Sequence, residues 1–82
     1  MKCKVYPTVK KHNRYIIAPS EVKVSDLPKQ AQDAIGANKA WKEIELDPEQ
    51  PLIGLDPNQA IKNIKSKGFH VQEVTVLFKE AR

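Results

Sequence analysis

The sequence has one cysteine in 82 residues. Cys3 therefore has no partner for an internal disulfide, which fits a reducing compartment. With only His12 and His70 beside it, and no CxxC or HxxxH spacing, the chain lacks the ligand set of a zinc site, so no metal is expected. Glycine is scarce as well, and neither Gly36 nor Gly54 belongs to a phosphate-cradling loop. Long apolar runs are missing. The longest, Tyr15 to Ala18 and Val74 to Phe78 interrupted by Thr75, fall far below the roughly 18 residues of a membrane span. The N-terminus carries no signal-peptide core. These absences lead to the expectation of a cytoplasmic protein with no cofactor and no membrane contact.

Acids are absent from residues 1–20, which hold five Lys or Arg. Residues 21–60 carry four bases against eight acids, and residues 61–82 five against two. Two basic ends thus flank an acidic middle within a net charge of +4, and a positive side would draw a polyanion or an acidic protein. The length allows one domain, and a chain this short buries only about 60% of its unfolded surface, which leaves little room for a deep enclosed site.

Lys2 to Tyr6 alternates with period two, with Cys3 and Val5 on one face and Lys2, Lys4 and Tyr6 on the other. "TVKKHNR" reads as a polar turn in which Asn13 can take unusual backbone angles, and Tyr15 to Ala18 is the return strand of a hairpin, closed by Pro19. "SEVKVSD" is a connecting loop. Ser25 or Asp26 then caps a helix with Pro28 in its first turn, an inward stripe of Leu27, Ala31, Ala34 and Ile35, and a stop at Gly36. Trp41 to Leu46 reads as a strand with Ile44 and Leu46 inward. Asp56 caps a second helix with Pro57 at its first position and Gln59 completing a capping-box variant; Ala60, Ile61 and Ile64 face inward and Gly68 ends it. Phe69 and Val71 begin a core-facing strand, which turns His70 outward. From Val74 the alternation changes phase, calling for a bulge near Gln72 and Glu73 or for an exposed strip of Val74, Val76 and Phe78. The expected fold is α/β (α+β), a single-layer sheet with two helices in the order β-β-α-β-α-β. Residues 1–75 form one domain, and residues 76–82 a C-terminal extension.

Met1, Cys3, Val5, Tyr6, Lys10, Tyr15, Pro28, Gly36, Leu46, Leu52, Asp56 and Gly68, with "GFHVQ" following the helix stop, resemble the pattern of the YcgL domain family of small bacterial proteins. The correspondence runs from Met1 to Gln72 without a gap. It implies an α/β/α sandwich and brings no catalytic residues, since the family has no assigned activity. The chain departs from the family at "IGANKAWKEI", where such proteins often have an "FG-P" stretch and a Met-bearing strand. It departs again at "EVTVLFKEAR", where they often continue into a Pro-rich tail.

Each chemical candidate has a plainer alternative. Cys3 with a histidine could make a nucleophile and base, but it reads better as a small core residue on a strand, without an oxyanion loop. Glu43 and Glu45 share a strand face beside Lys42, as a solvated edge does. Trp41, alone of its kind, reads as core or hinge packing. No enzyme is expected. The candidate binding surface is the basic hairpin, Lys4, Lys10, Lys11, His12 and Arg14 with Tyr6 and Tyr15, where cations and interleaved aromatics would track a nucleic-acid backbone. Its plainer reading is a solubilising turn. A protein partner on the Val74, Val76 and Phe78 strip is the favoured function, and weak, charge-driven RNA binding at the hairpin is the alternative.

Overall fold

The computed structural model describes residues 1–49 and 55–73. Strands β1 (Lys2–Pro7) and β2 (Arg14–Pro19) are followed by a 3-10 turn (Val24–Asp26), helix α1 (Lys29–Ile35), strand β3 (Lys42–Glu45), helix α2 (Pro57–Lys67) and strand β4 (His70–Glu73). The order along the chain is the expected one, with the 3-10 turn added inside the connecting loop. The fold is α+β, and the spatial strand order is β3-β1-β2-β4 with every pair antiparallel. The hairpin strands are central, and the two later strands form the edges.

Because successive strand residues point to opposite faces, a central strand covered on both sides must be apolar at both parities. β2 meets that demand with Ile16, Ile17 and Ala18, all buried. Ile16 and Ala18 join Tyr6, Leu27, Ala31, Ile35 and Phe69 in one cluster, under α1. Ile17 joins Cys3, Val5, Leu46, Ala60 and Ile64 in the other, under α2. The helices therefore lie on opposite faces of the sheet, as an α/β/α sandwich requires.

The second helix begins as its sequence dictates. Asp56 Oδ1 accepts from the backbone N–H of Asn58 at 3.0 Å and of Gln59 at 3.4 Å, satisfying two donors that have no partner within the helix. The reciprocal half of the capping box is not made, because the Gln59 amide turns along the helix and donates to Asn63 Oδ1 at 3.5 Å. Gly68 ends α2 with left-handed angles, its N–H on the Ile64 carbonyl. The first helix corrects the sequence reading: neither Ser25 nor Asp26 caps it. Both fall in the 3-10 turn, and Pro28 occupies the capping position itself. A residue preceding proline disfavours helical angles, which keeps Leu27 extended and delays α1 to Lys29.

Two further expectations change at the edges of the sheet. β4 pairs with β2 in unbroken register from Ile17 opposite His70 to Arg14 opposite Glu73, with no bulge at Gln72 or Glu73. Phe69 is buried, but Val71 is 41% exposed, because α1 is only seven residues long and its cover stops short of this edge strand. His70 is the reverse case and is buried. It shares a sheet face with Ile17, beneath α2, where an outward position was expected.

Candidate functional site

The hairpin turn, residues 8–13, is anchored at several points. The Thr8 hydroxyl lies 3.0 Å from the Lys11 carbonyl and 2.8 Å from that of Arg14, closing the turn on itself. Val9 N–H donates to the Ala34 carbonyl at 2.9 Å, and the Asn38 amide donates to the Pro7 carbonyl at 3.1 Å. The turn is thereby fixed against the C-terminal end of α1. Asn13 needs no unusual backbone angle, since no non-glycine residue among those described has positive φ.

This anchoring places Lys10, Lys11 and Arg14 around a cleft of about 230 Å³, walled on the helix side by Gln30 and Asp33. Lys10, Lys11 and His12 are exposed. Arg14 donates through Nε and Nη2 to Glu73 Oε2 across the β2–β4 pair. That hydrogen bond, with the guanidinium charge, holds the Glu73 carboxyl below its usual range. With Asp33 in the cleft and Glu73 on Arg14, the cleft is weakly positive.

The other members of the sequence-derived surface lie elsewhere. Tyr6 is 5% exposed in the cluster under α1, so it is a core residue and offers no stacking face. Lys4 is half-buried in mid-sheet, opposite Glu43 of β3. Tyr15 follows Arg14 but points to the opposite face, where it packs against the cluster under α2. There it meets Trp41, with ring centroids 5.4 Å apart and planes 32° from parallel. Trp41 is 47% exposed, so of the expected core or hinge packing the core alternative does not hold. Its backbone N–H donates to the Val5 carbonyl at 2.7 Å, and the Lys42 ammonium sits 4.4 Å from the ring centroid. Sequence reasoning missed this pairing because it joins residues 26 positions apart through β1, and the order β3-β1-β2 is not written in any local pattern. Val74, Val76 and Phe78 lie outside the described residues.

Cys3 is completely buried, and loss of solvation pushes its thiol from 9.0 up to about 11; the N-terminal amine opposes this and Glu45 adds to it. A raised thiol pKa means the folded state favours the neutral form. The associated stability is complete below about pH 9 and drains away as pH climbs towards 11. The stability difference between the wild type and Cys3→Ala is expected to shrink by roughly 1 kcal/mol between pH 8 and about pH 10 in urea titrations. A constant difference over that interval would show that the thiol is not desolvated. Among the described residues, no group of three or more His, Cys, Asp or Glu side chains could hold a metal ion, and no helix is long and apolar enough to cross a membrane.

The chain matches the YcgL domain over residues 3–73. It belongs to the YcgL domain family. A YcgL domain-containing protein of Thioalkalivibrio sulfidiphilus is 28% identical over 72 residues, spanning 88% of this chain and 89% of the relative. One from Pseudomonas paraeruginosa is 29% identical over 70 residues, spanning 85% of this chain and 72% of its own. No solved structure gives a significant match. Within this YcgL domain, the matched region takes in the hairpin turn, the Tyr15–Trp41 pair and all four strands except Lys2 at the start of β1.

Proposed function

We propose that this YcgL domain is a non-catalytic binding module whose ligand is single-stranded nucleic acid, held weakly and chiefly by charge. The observation that carries the reading is the convergence of Lys10, Lys11 and Arg14 on one cleft at an anchored turn. Cations fixed on a rigid support meet a polyanion without the entropy cost of ordering a loop. Lysines outnumber arginine there, which favours attraction to phosphate over readout of bases. The buried, protonated Cys3 is poorly suited to nucleophilic chemistry, in keeping with a non-catalytic role. A protein partner finds less support among the described residues, whose exposed large apolar side chains, Met1, Val9, Trp41 and Val71, come from four separate segments.

Lys10 and Lys11 are exposed, so replacing both with Gln leaves the fold intact. Labelled single-stranded RNA should bind the wild type at low salt, and the double variant should bind more weakly, with a salt slope reduced by roughly 0.7 for each phosphate no longer neutralised. No RNA binding at low salt rejects the reading. In that event, a partner captured from lysate and retained after nuclease treatment would put protein recognition in its place.

A further inference from the structure

We propose that the cleft between the hairpin turn and α1 takes the terminal phosphate of a nucleic-acid strand in preference to the phosphates along it, and that Glu73 sets this preference by occupying Arg14. The inference rests on the nucleic-acid reading above and names the part of the strand that the cleft holds. It starts from an imbalance among the cations. Lys10, Lys11 and Arg14 all line the cleft, yet among the described residues Arg14 is the one of the three in an ion pair.

The Glu73 carboxylate takes one side of the guanidinium for itself. Nε and Nη2 both donate to its Oε2, and a pair of parallel N–H groups is what an arginine uses to fork a phosphate. Register fixes the contact, since Arg14 and Glu73 stand opposite each other in the β2–β4 pair, on the face of the sheet that Ile16 turns towards α1. The Arg14 hydrogen bond and charge keep this carboxylate ionised, and the Lys11 ammonium adds to their effect. Glu73 thus acts as an anion already in place. A phosphate that is to reach Arg14 must displace it.

The exchange is decided by the size of the arriving charge. A phosphodiester within a strand carries one negative charge, as the carboxylate does, so the replacement gains little. A phosphate monoester at a strand end carries about two at neutral pH and has three free oxygens, enough to fork the guanidinium and meet a lysine ammonium together. The Arg14–Glu73 pair is exposed and therefore weak, and it yields to the stronger anion. Size points the same way. The cleft, at about 230 Å³, is smaller than the roughly 300–1,000 Å³ of pockets that enclose a whole small ligand, so it holds one end group and leaves the rest of the strand outside. Gln30 and Asp33 on its helix wall offer acceptors, which suit the hydroxyls and exocyclic amine of a terminal nucleoside and not a bare phosphate.

Three short oligoadenylates of one length test this, one with a 5′ phosphate, one with a 3′ phosphate and one with hydroxyls at both ends. Each competes with an internally labelled strand for the full-length protein, at low salt and about pH 8, where the monoester is doubly charged. One of the phosphorylated strands should bind roughly 5-fold more tightly than the hydroxyl-ended strand, the gain expected of one further exposed ion pair. Glu73→Gln should bring that ratio close to one by strengthening the hydroxyl-ended strand, with a thermal melt near wild type. Arg14→Gln should also remove it, but by weakening the phosphorylated strand. Adenosine monophosphate and inorganic phosphate should compete less well than the phosphorylated strand. Equal binding of all three strands overturns the terminal-phosphate preference while the charge reading stands. A ratio that survives Glu73→Gln overturns the part given to Glu73, and a mononucleotide or free phosphate that matches the phosphorylated strand overturns the strand end as ligand. Oligoadenylates that all fail to bind at low salt overturn both readings.

Discussion

Replacing Gly36 with alanine is expected to destabilise the domain by about 2–3 kcal/mol, far more than a surface change between small residues normally costs. Gly36 ends α1 with φ 61° and ψ −129°, a conformation that an L side chain strongly resists. Space is also short, since a Cβ there would lie 2.6 Å from Val9 Cγ1. Relief requires the Val9 side chain to turn, since its backbone is held by the N–H bond to Ala34 two residues before the glycine. Adding Val9→Ala to Gly36→Ala should recover only the steric part of the loss and leave the backbone part. Gly68→Ala supplies the comparison. Its angles, φ 92° and ψ −8°, are left-handed helical, and its added Cβ meets Pro28 at no less than 3.4 Å, so a loss of about 1 kcal/mol is expected. Urea denaturation of the three variants measures this, and a Gly36→Ala loss no larger than that of Gly68→Ala would refute the assignment.

His70→Ala should cost about 2 kcal/mol, a large effect for a residue near the end of an edge strand. The imidazole is 6% exposed and bonded at both nitrogens: Nδ1 accepts from Asn63 Nδ2 at 2.9 Å, and Nε2 donates to Gln72 Oε1 at 2.9 Å. That arrangement selects the neutral tautomer protonated on Nε2. It also has one direction throughout, from Gln59 to Asn63, to His70, to Gln72 and on to the Glu73 carbonyl, so every member gives a proton forward and none is left facing a like group. The chain of bonds fastens α2 to β4 across the sheet face. Removing the ring takes a partner from two amides and opens a void between helix and strand. In a double-mutant cycle, Asn63→Ala should be markedly less costly when His70 is already Ala than when it is present, with a coupling of about 1 kcal/mol. Additive losses would mean that the two side chains do not share a network.

Most of the architecture was legible because it depends on local chemistry. The helix-capping Asp56, the proline after it, the stops at Gly36 and Gly68 and the period-two alternation of Lys2 to Tyr6 each act within a few residues, and each is found where the chain pattern places it. The misplacements of Tyr6 and His70 share one origin. A strand residue was assigned inward or outward as though the sheet had a single covered face. With a helix on each side, both parities of β2 are inside, His70 acquires a roof, and Tyr6 becomes core although it alternates with Lys4. Trp41 fails in the opposite sense, since apolar character marked it as interior while α1 and α2 both leave its end of β3 open. For the candidate site, the basic turn was visible as a cluster in sequence, whereas the aromatic pair needed the spatial order of strands. Periodicity carries no information about which strand lies beside which.

The placement of the hairpin at the centre of the sheet has a further consequence during synthesis on the ribosome. β1 and β2 leave the tunnel before the helices that cover them, and each carries apolar residues on both faces. α1 follows soon after and can shield one of them. The other waits for Leu46, Ala60 and Ile64, and the open flank of β2 waits for β4, more than 50 residues behind it. Until then the newborn hairpin presents a bare greasy surface and an unsatisfied row of amides, the combination that invites chaperones or neighbouring nascent chains. At ordinary elongation rates the delay is a few seconds to about ten, long enough to make the arrival of α2 and β4 the step that closes the exposed hairpin.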